Sequence, residues 1–146
     1  MRGEVVRLWL GRGLVGLVLL SNLQAALVFL ISPGQFAPSF GLAGPVGDGM
    51  MRALGLLFLM WCVPYAVAAS HPVRQRVSLC EAIAMQAIGL LGESLLLVNF
   101  PPGFPQITAA VTRFIIFDGG GLLALLAAAS LTWSLGRRSG LRQVRF

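Results

Sequence analysis

Glu93 and Asp118 lie in stretches that are otherwise apolar enough to cross a lipid bilayer. A carboxylate at the centre of a membrane helix costs about 2.5–3.5 kcal/mol on the insertion scale. Such a residue persists where a partner, a cavity or a function compensates for it. Glu93 stands six residues before Asn99, about 9 Å from the end of its span. Asp118 sits a turn or two below the start of the next span, at a similar depth. Arg52, Arg113 and Gln24 fall within the same half of the four spans, and Gln86 is added by its place on the Glu93 face, so six polar groups are expected to form one cluster. Gln86 and Glu93 are seven residues apart and share a helix face with Gly89 between them. Arg113 and Asp118 are five apart, about 140° around the helix, which makes them poor partners on one helix. The expected pairing is therefore Arg113 with Glu93 and Arg52 with Asp118. Two chemistries follow. The charges neutralise one another and hold the helices in register, or an unpaired carboxyl lines a pocket for a proton, an ion or a small polar ligand. Two arginines for two acids favour the first.

No other constellation supports catalysis. Cys62 and Cys80 form no Cys-x-x-Cys pair, and with His71 as the one histidine there is no spacing for zinc, haem attachment or a disulfide relay. His71, next to Pro72, reads as a loop residue rather than a ligand. Asp118-Gly119-Gly120-Gly121 lacks the preceding strand and following lysine of a phosphate loop. The glycines are instead expected to let helices approach closely. With no nucleophile and base pair, the chain is read as a non-enzyme without cofactor or metal.

The elements that must position these residues are legible from composition. The chain has 146 residues, 57% hydrophobic and 11% charged, with mean hydropathy +0.84. Soluble domains carry about 25% charged residues, so a membrane protein is expected rather than a water-soluble fold. Four apolar spans are predicted at about 8–31, 49–70, 79–99 and 110–135, followed by a basic tail at 136–146. Each span reaches the roughly 20 residues that a helix needs to cross a ~30 Å core. None shows the alternation of a strand. The expected fold is one all-α domain, a four-helix transmembrane bundle. The first span is too long for a secretory leader and contains Asn22 and Gln24, so it reads as a retained helix. Asp48 is expected to cap the second span with Arg52 as its same-face partner, and Ser78 with Glu81 to form a capping box for the third. Pro64 is expected to kink the second span. Trp9, Trp61, Trp133 and Tyr65 read as interfacial anchors.

Arginine placement sets the orientation. All eleven basic residues are Arg. Arg2, Arg7, Arg12, Arg74, Arg76, Arg137, Arg138, Arg142 and Arg145 fall on one side, against Arg52 and Arg113 on the other. The positive-inside rule then predicts that both termini are cytoplasmic. The net charge of +6 is explained by span flanks facing an anionic leaflet, so no nucleic-acid partner is inferred. The partners expected are the bilayer itself and other spans, in a membrane-protein complex or a homo-oligomer.

This layout, with Arg52-Ala53-Leu54-Gly55-Leu56-Leu57 opening the second helix and Arg113 with Asp118-Gly119 opening the fourth, resembles the small DoxX-like bacterial membrane proteins. The resemblance implies a protein of the bacterial cytoplasmic membrane and an accessory subunit of a redox complex. It carries over no catalytic residue. Small multidrug exporters and quinone-linked disulfide-forming enzymes fit less well. The first helix has Ser21, Asn22 and Gln24 where those exporters hold an essential Glu, and the Cys pairs of those enzymes are missing. The favoured function is an accessory or structural subunit. The alternative is a small proton- or ion-coupled transporter using Glu93 and Asp118.

Overall fold

A computed structural model describes the backbone of residues 2–143 and the side chains through Leu135. Four helices follow one another: α1 (Arg2–Ile31), α2 (Gly44–Ser70), α3 (Arg76–Asn99) and α4 (Pro105–Gln143). Two short 3-10 turns, Pro33–Gln35 and Ala37–Phe40, bridge α1 and α2. All four helices are long and apolar enough to span a membrane. The expected basic tail with Arg137, Arg138, Arg142 and Arg145 lies outside the residues whose side chains are described.

Every helix starts before its apolar run does, because the ends are set by backbone chemistry rather than by hydropathy. The N-cap of α2 is Ala43 in an extended conformation, with a proline in the first turn, so Asp48 is already inside the helix and caps nothing. Pro45 suits that position, since its missing N–H would be unsatisfied there anyway. The N-cap of α3 is Gln75, without a side-chain cap hydrogen bond, so the Ser78–Glu81 capping box does not form either. α4 opens on Pro105. Pro64 lies within α2, and the helix runs on through it to Ser70.

The inward faces show the three- and four-residue spacing of packed helices. On α1 they are Gly11, Val15, Val18, Asn22, Ala26 and Phe29. On α2 they include Met51, Gly55, Phe58, Cys62, Tyr65 and Ala68. At Gly55 α1 and α2 approach closely: a Cβ there would stand 2.9 Å from Leu30 Cγ and 3.0 Å from the Ala26 carbonyl. Small residues permit such contacts between membrane helices.

The helices form a ring in which α1 packs on α2 and α4, and α3 closes the ring between α4 and α2. One end of the bundle gathers the starts of α1 and α3, the end of α2 and the late turns of α4. There Arg12 Nε donates to the Ala69 carbonyl (3.1 Å), Arg7 reaches Ser134 Oγ (3.4 Å) and Arg76 reaches the Trp133 carbonyl (3.2 Å). Arg12 and Arg76 also lie over the Trp9 and Trp133 rings, at 4.5 and 5.2 Å. We call this the arginine end and the opposite one the loop end.

Two cores fill the ring. Toward the arginine end, Val15, Val18, Tyr65, Ala68, Leu79, Ala82, Leu125 and Ala128 draw on all four helices. Toward the loop end, Ala26, Phe29, Ala37, Met51 and Phe58 pack with Phe36, Phe40, Phe114 and Phe117, and α3 contributes nothing. The buried residues of α3 are Leu79, Ala82 and Gln86, all in its first half.

Candidate functional site

The site grows from the point where α3 leaves the shared core. Gln86 is the last buried residue of α3 and is 3% exposed. From α2, Tyr65 enters beside it, 2% exposed. The Tyr65 hydroxyl donates to Gln86 Oε1 at 2.5 Å, with the Ala82 carbonyl a second acceptor at 3.3 Å. Gln86 Nε2 in turn donates to Asp118 Oδ1 on α4 at 2.9 Å. A single amide thus uses both of its ends, one toward α2 and one toward α4. The carboxyl group is the terminal acceptor of the chain. Its bond from the amide is charge-assisted when Asp118 is ionised.

Glycines make room for this chain. A Cβ at Gly121 would overlap the Gln86 amide, and a Cβ at Gly89 would overlap the Asp118 carboxyl. Each polar side chain therefore lies over a glycine of the facing helix. Leu90 adds an apolar contact, its Cδ1 standing 3.7 Å from where a Cβ of Gly119 would be. The glycine run after Asp118 thus serves close approach of α3 and α4.

Glu93 lies two turns beyond Gln86, about 10.5 Å toward the loop end. Its Oε2 is enclosed and makes no hydrogen bond. The Asp118 carboxyl lies over Gly89, one turn before Glu93 on the same face of α3. The six residues expected to converge divide as follows. Gln86, Asp118 and Glu93 come together on α3 and α4. Arg52, Arg113 and Gln24 are exposed and do not join them.

The expected pairs, Arg113 with Glu93 and Arg52 with Asp118, are absent among the described residues. The reason is rotational. On α2, Met51, Gly55 and Phe58 take the inward stripe and leave Arg52 outside it. On α1 the stripe runs through Asn22 and Ala26, which turns Gln24 outward. On α4 the angle that separates Arg113 from Asp118 sends Arg113 to the side away from α3. There Arg113 borders a cavity of about 180 Å³ lined by Phe29, Phe36, Phe40, Phe58, Phe114 and Phe117, with Ala25 and Ala110.

Two buried polar side chains were not expected, and one of them joins the site. Tyr65 is a core hydrogen-bond donor, not an interfacial anchor. Its place was signalled by the seven-residue spacing Met51, Phe58, Tyr65, which puts it on the buried stripe. Asn22 is buried on α1, where its Nδ2 donates to the Val18 carbonyl at 3.0 Å. That bond satisfies the amide within its own helix, so it contributes no link to the cluster. Trp9 and Trp133 stand at the arginine end, while Trp61 lies tilted against Phe58, ring centroids 5.2 Å apart. His71 is the C-cap residue of α2 and accepts the Arg74 N–H at Nδ1 (3.3 Å). Cys62 is buried, Cys80 is exposed, and both are free.

The geometry offers a buried chain of donors that ends on a carboxyl, and a second carboxyl beside it that is short of a partner. No family model matches this sequence, and no curated protein or solved structure matches it either.

Proposed function

We infer that the protein is a small membrane proton carrier whose exchangeable site is the Glu93–Asp118 carboxyl pair. The observation that carries this reading is the enclosed Glu93 Oε2, which has no hydrogen-bond partner and no arginine beside it. A bare carboxylate in lipid must be neutralised, and intramembrane charges normally pair. With Arg52 and Arg113 turned elsewhere, a proton or small cation is the remaining counter-charge. The Tyr65–Gln86 chain holds Asp118 in place, so that Glu93 is the group free to exchange. In this reading the arginine end is cytoplasmic, the protein resides in a bacterial inner membrane, and the carboxyl pair opens toward the loop end.

A second reading is the accessory subunit of a larger membrane complex that the DoxX-like layout implies. It is supported by the loop-end half of α3, where Leu91, Leu95 and Val98 are 64%, 65% and 82% exposed and no other core residue covers them. Spans of a partner would fit there.

The deciding experiment uses the purified protein in liposomes loaded with pyranine, under an imposed potassium-diffusion potential. The carrier reading expects proton movement above that of empty liposomes, abolished by Glu93→Gln with the melting temperature unchanged. Equal rates for wild type and Glu93→Gln overturn it. A lowered melting temperature with unchanged rates favours the subunit reading.

A further inference from the structure

The loop end holds a second site, about a quarter turn around α4 from Asp118 and lined from α4 by Ala110, Arg113, Phe114 and Phe117. Six phenylalanines from three helices and the α1–α2 connection surround a cavity of about 180 Å³. Their rings are set tilted or edge-on: Phe29 lies 5.3 Å from Phe36 and 5.7 Å from Phe58, and Phe114 lies 5.9 Å from Phe40 and 6.1 Å from Phe58. Aromatic pairs favour these geometries, so the walls hold one another in position. The space exists because Ala25 and Ala110 stand where larger side chains would fill it.

Arg113 borders this cavity and is its one charged lining residue among the described residues. No acidic residue among the described ones pairs with it. A guanidinium at the mouth of an apolar cavity offers a fork that matches a carboxylate. The volume selects the body of the ligand. An apolar cavity of about 150 Å³ accommodates one benzene molecule, so this one has room for a single ring. We propose that the cavity lined by Phe29, Phe58 and Phe114 and bordered by Arg113 binds a small aromatic carboxylate, with its ring among the phenylalanines and its carboxylate on the guanidinium. The reading of Glu93 as a proton site plays no part in this.

Trp61 provides the readout, because its ring lies tilted against Phe58, a wall of the cavity. The test titrates the full-length protein, in phosphatidylcholine nanodiscs, with 4-bromobenzoate, whose heavy atom quenches tryptophan fluorescence. Saturable quenching is expected, and Trp61→Phe should remove the saturable part. Arg113→Gln should weaken binding at least tenfold and Arg113→Lys less, since Arg113 is exposed and its replacement leaves the core untouched. The neutral 4-bromobenzamide should bind at least tenfold more weakly than the acid to wild type, and with unchanged affinity to Arg113→Gln. Quenching that does not saturate, or the same affinity in wild type and Arg113→Gln, overturns the proposal. So does loss of 4-bromobenzoate binding when phosphatidylglycerol replaces phosphatidylcholine, because a lipid headgroup would then be the occupant.

Discussion

Replacing Gln86 with Leu is the sharpest probe of the buried chain, because one amide joins three helices. The change nearly conserves volume while deleting the 2.5 Å bond from Tyr65 and the 2.9 Å bond to Asp118. Side-chain hydrogen bonds between membrane helices average about 0.6 kcal/mol, with a maximum near 1.7. A bond to an ionised group is roughly twice as strong as a neutral one. Taking about 0.6 kcal/mol for the tyrosine bond and about 1.2 for the carboxyl bond, Gln86→Leu should destabilise by about 2 kcal/mol. Tyr65→Phe should cost about 0.6–1.7 kcal/mol, because it deletes one donor and leaves Asp118 held. The double variant should cost little more than Gln86→Leu alone, since the tyrosine bond is already gone. Reversible unfolding in mixed micelles, followed by circular dichroism across a denaturing-detergent titration, gives the three values. Additive costs, with a coupling below about 0.3 kcal/mol, would refute the claim that Tyr65 and Gln86 act through one bond.

Gly89→Val should force the Asp118 carboxyl off the α3 surface and break its bond to Gln86, lowering the melting temperature more than Gly92→Val, which meets open space; melting in detergent compares the two directly. Gly55→Leu should separate α1 from α2 by driving a side chain into Leu30 and the Ala26 carbonyl, and a cysteine crosslink placed across that seam should then form more slowly.

The four spans were legible because hydropathy alone marks a 20-residue apolar run, and lipid permits no other open backbone solution than a helix. Helix starts were not, because Ala43 and Gln75 cap through backbone geometry and Pro45 and Pro105 enter the first turns, none of which changes the apolar count. Depth along the chain placed Glu93 and Asp118 near one another, and the shared face of Gln86 and Glu93 followed from helical periodicity. Rotation of one helix against its neighbours is a tertiary quantity, and it decided the partners. An argument from charge paired acids with arginines, whereas packing gave Asp118 to an amide and turned Arg113 toward phenylalanines. Tyr65 was misread for the same reason: an amphipathic ring suits an interface as well as a core, and only the stripe through Met51 and Phe58 separates the two.

The unequal sharing of α3 between the two cores has a mechanical consequence. From Arg76 to Gln86 this helix is clamped by its neighbours, and from Leu91 to Asn99 it has no buried residue. Beyond the amide of Gln86 the helix keeps α4 contacts at Gly89 and Leu90 but joins neither core, and Glu93 rides on this less buried arm. A small tilt of that arm would change the spacing of the two carboxyls without disturbing either core. Amide hydrogen exchange along α3 should then be slow up to Gln86 and fast beyond it, and a partner seated on that arm would slow the distal half alone.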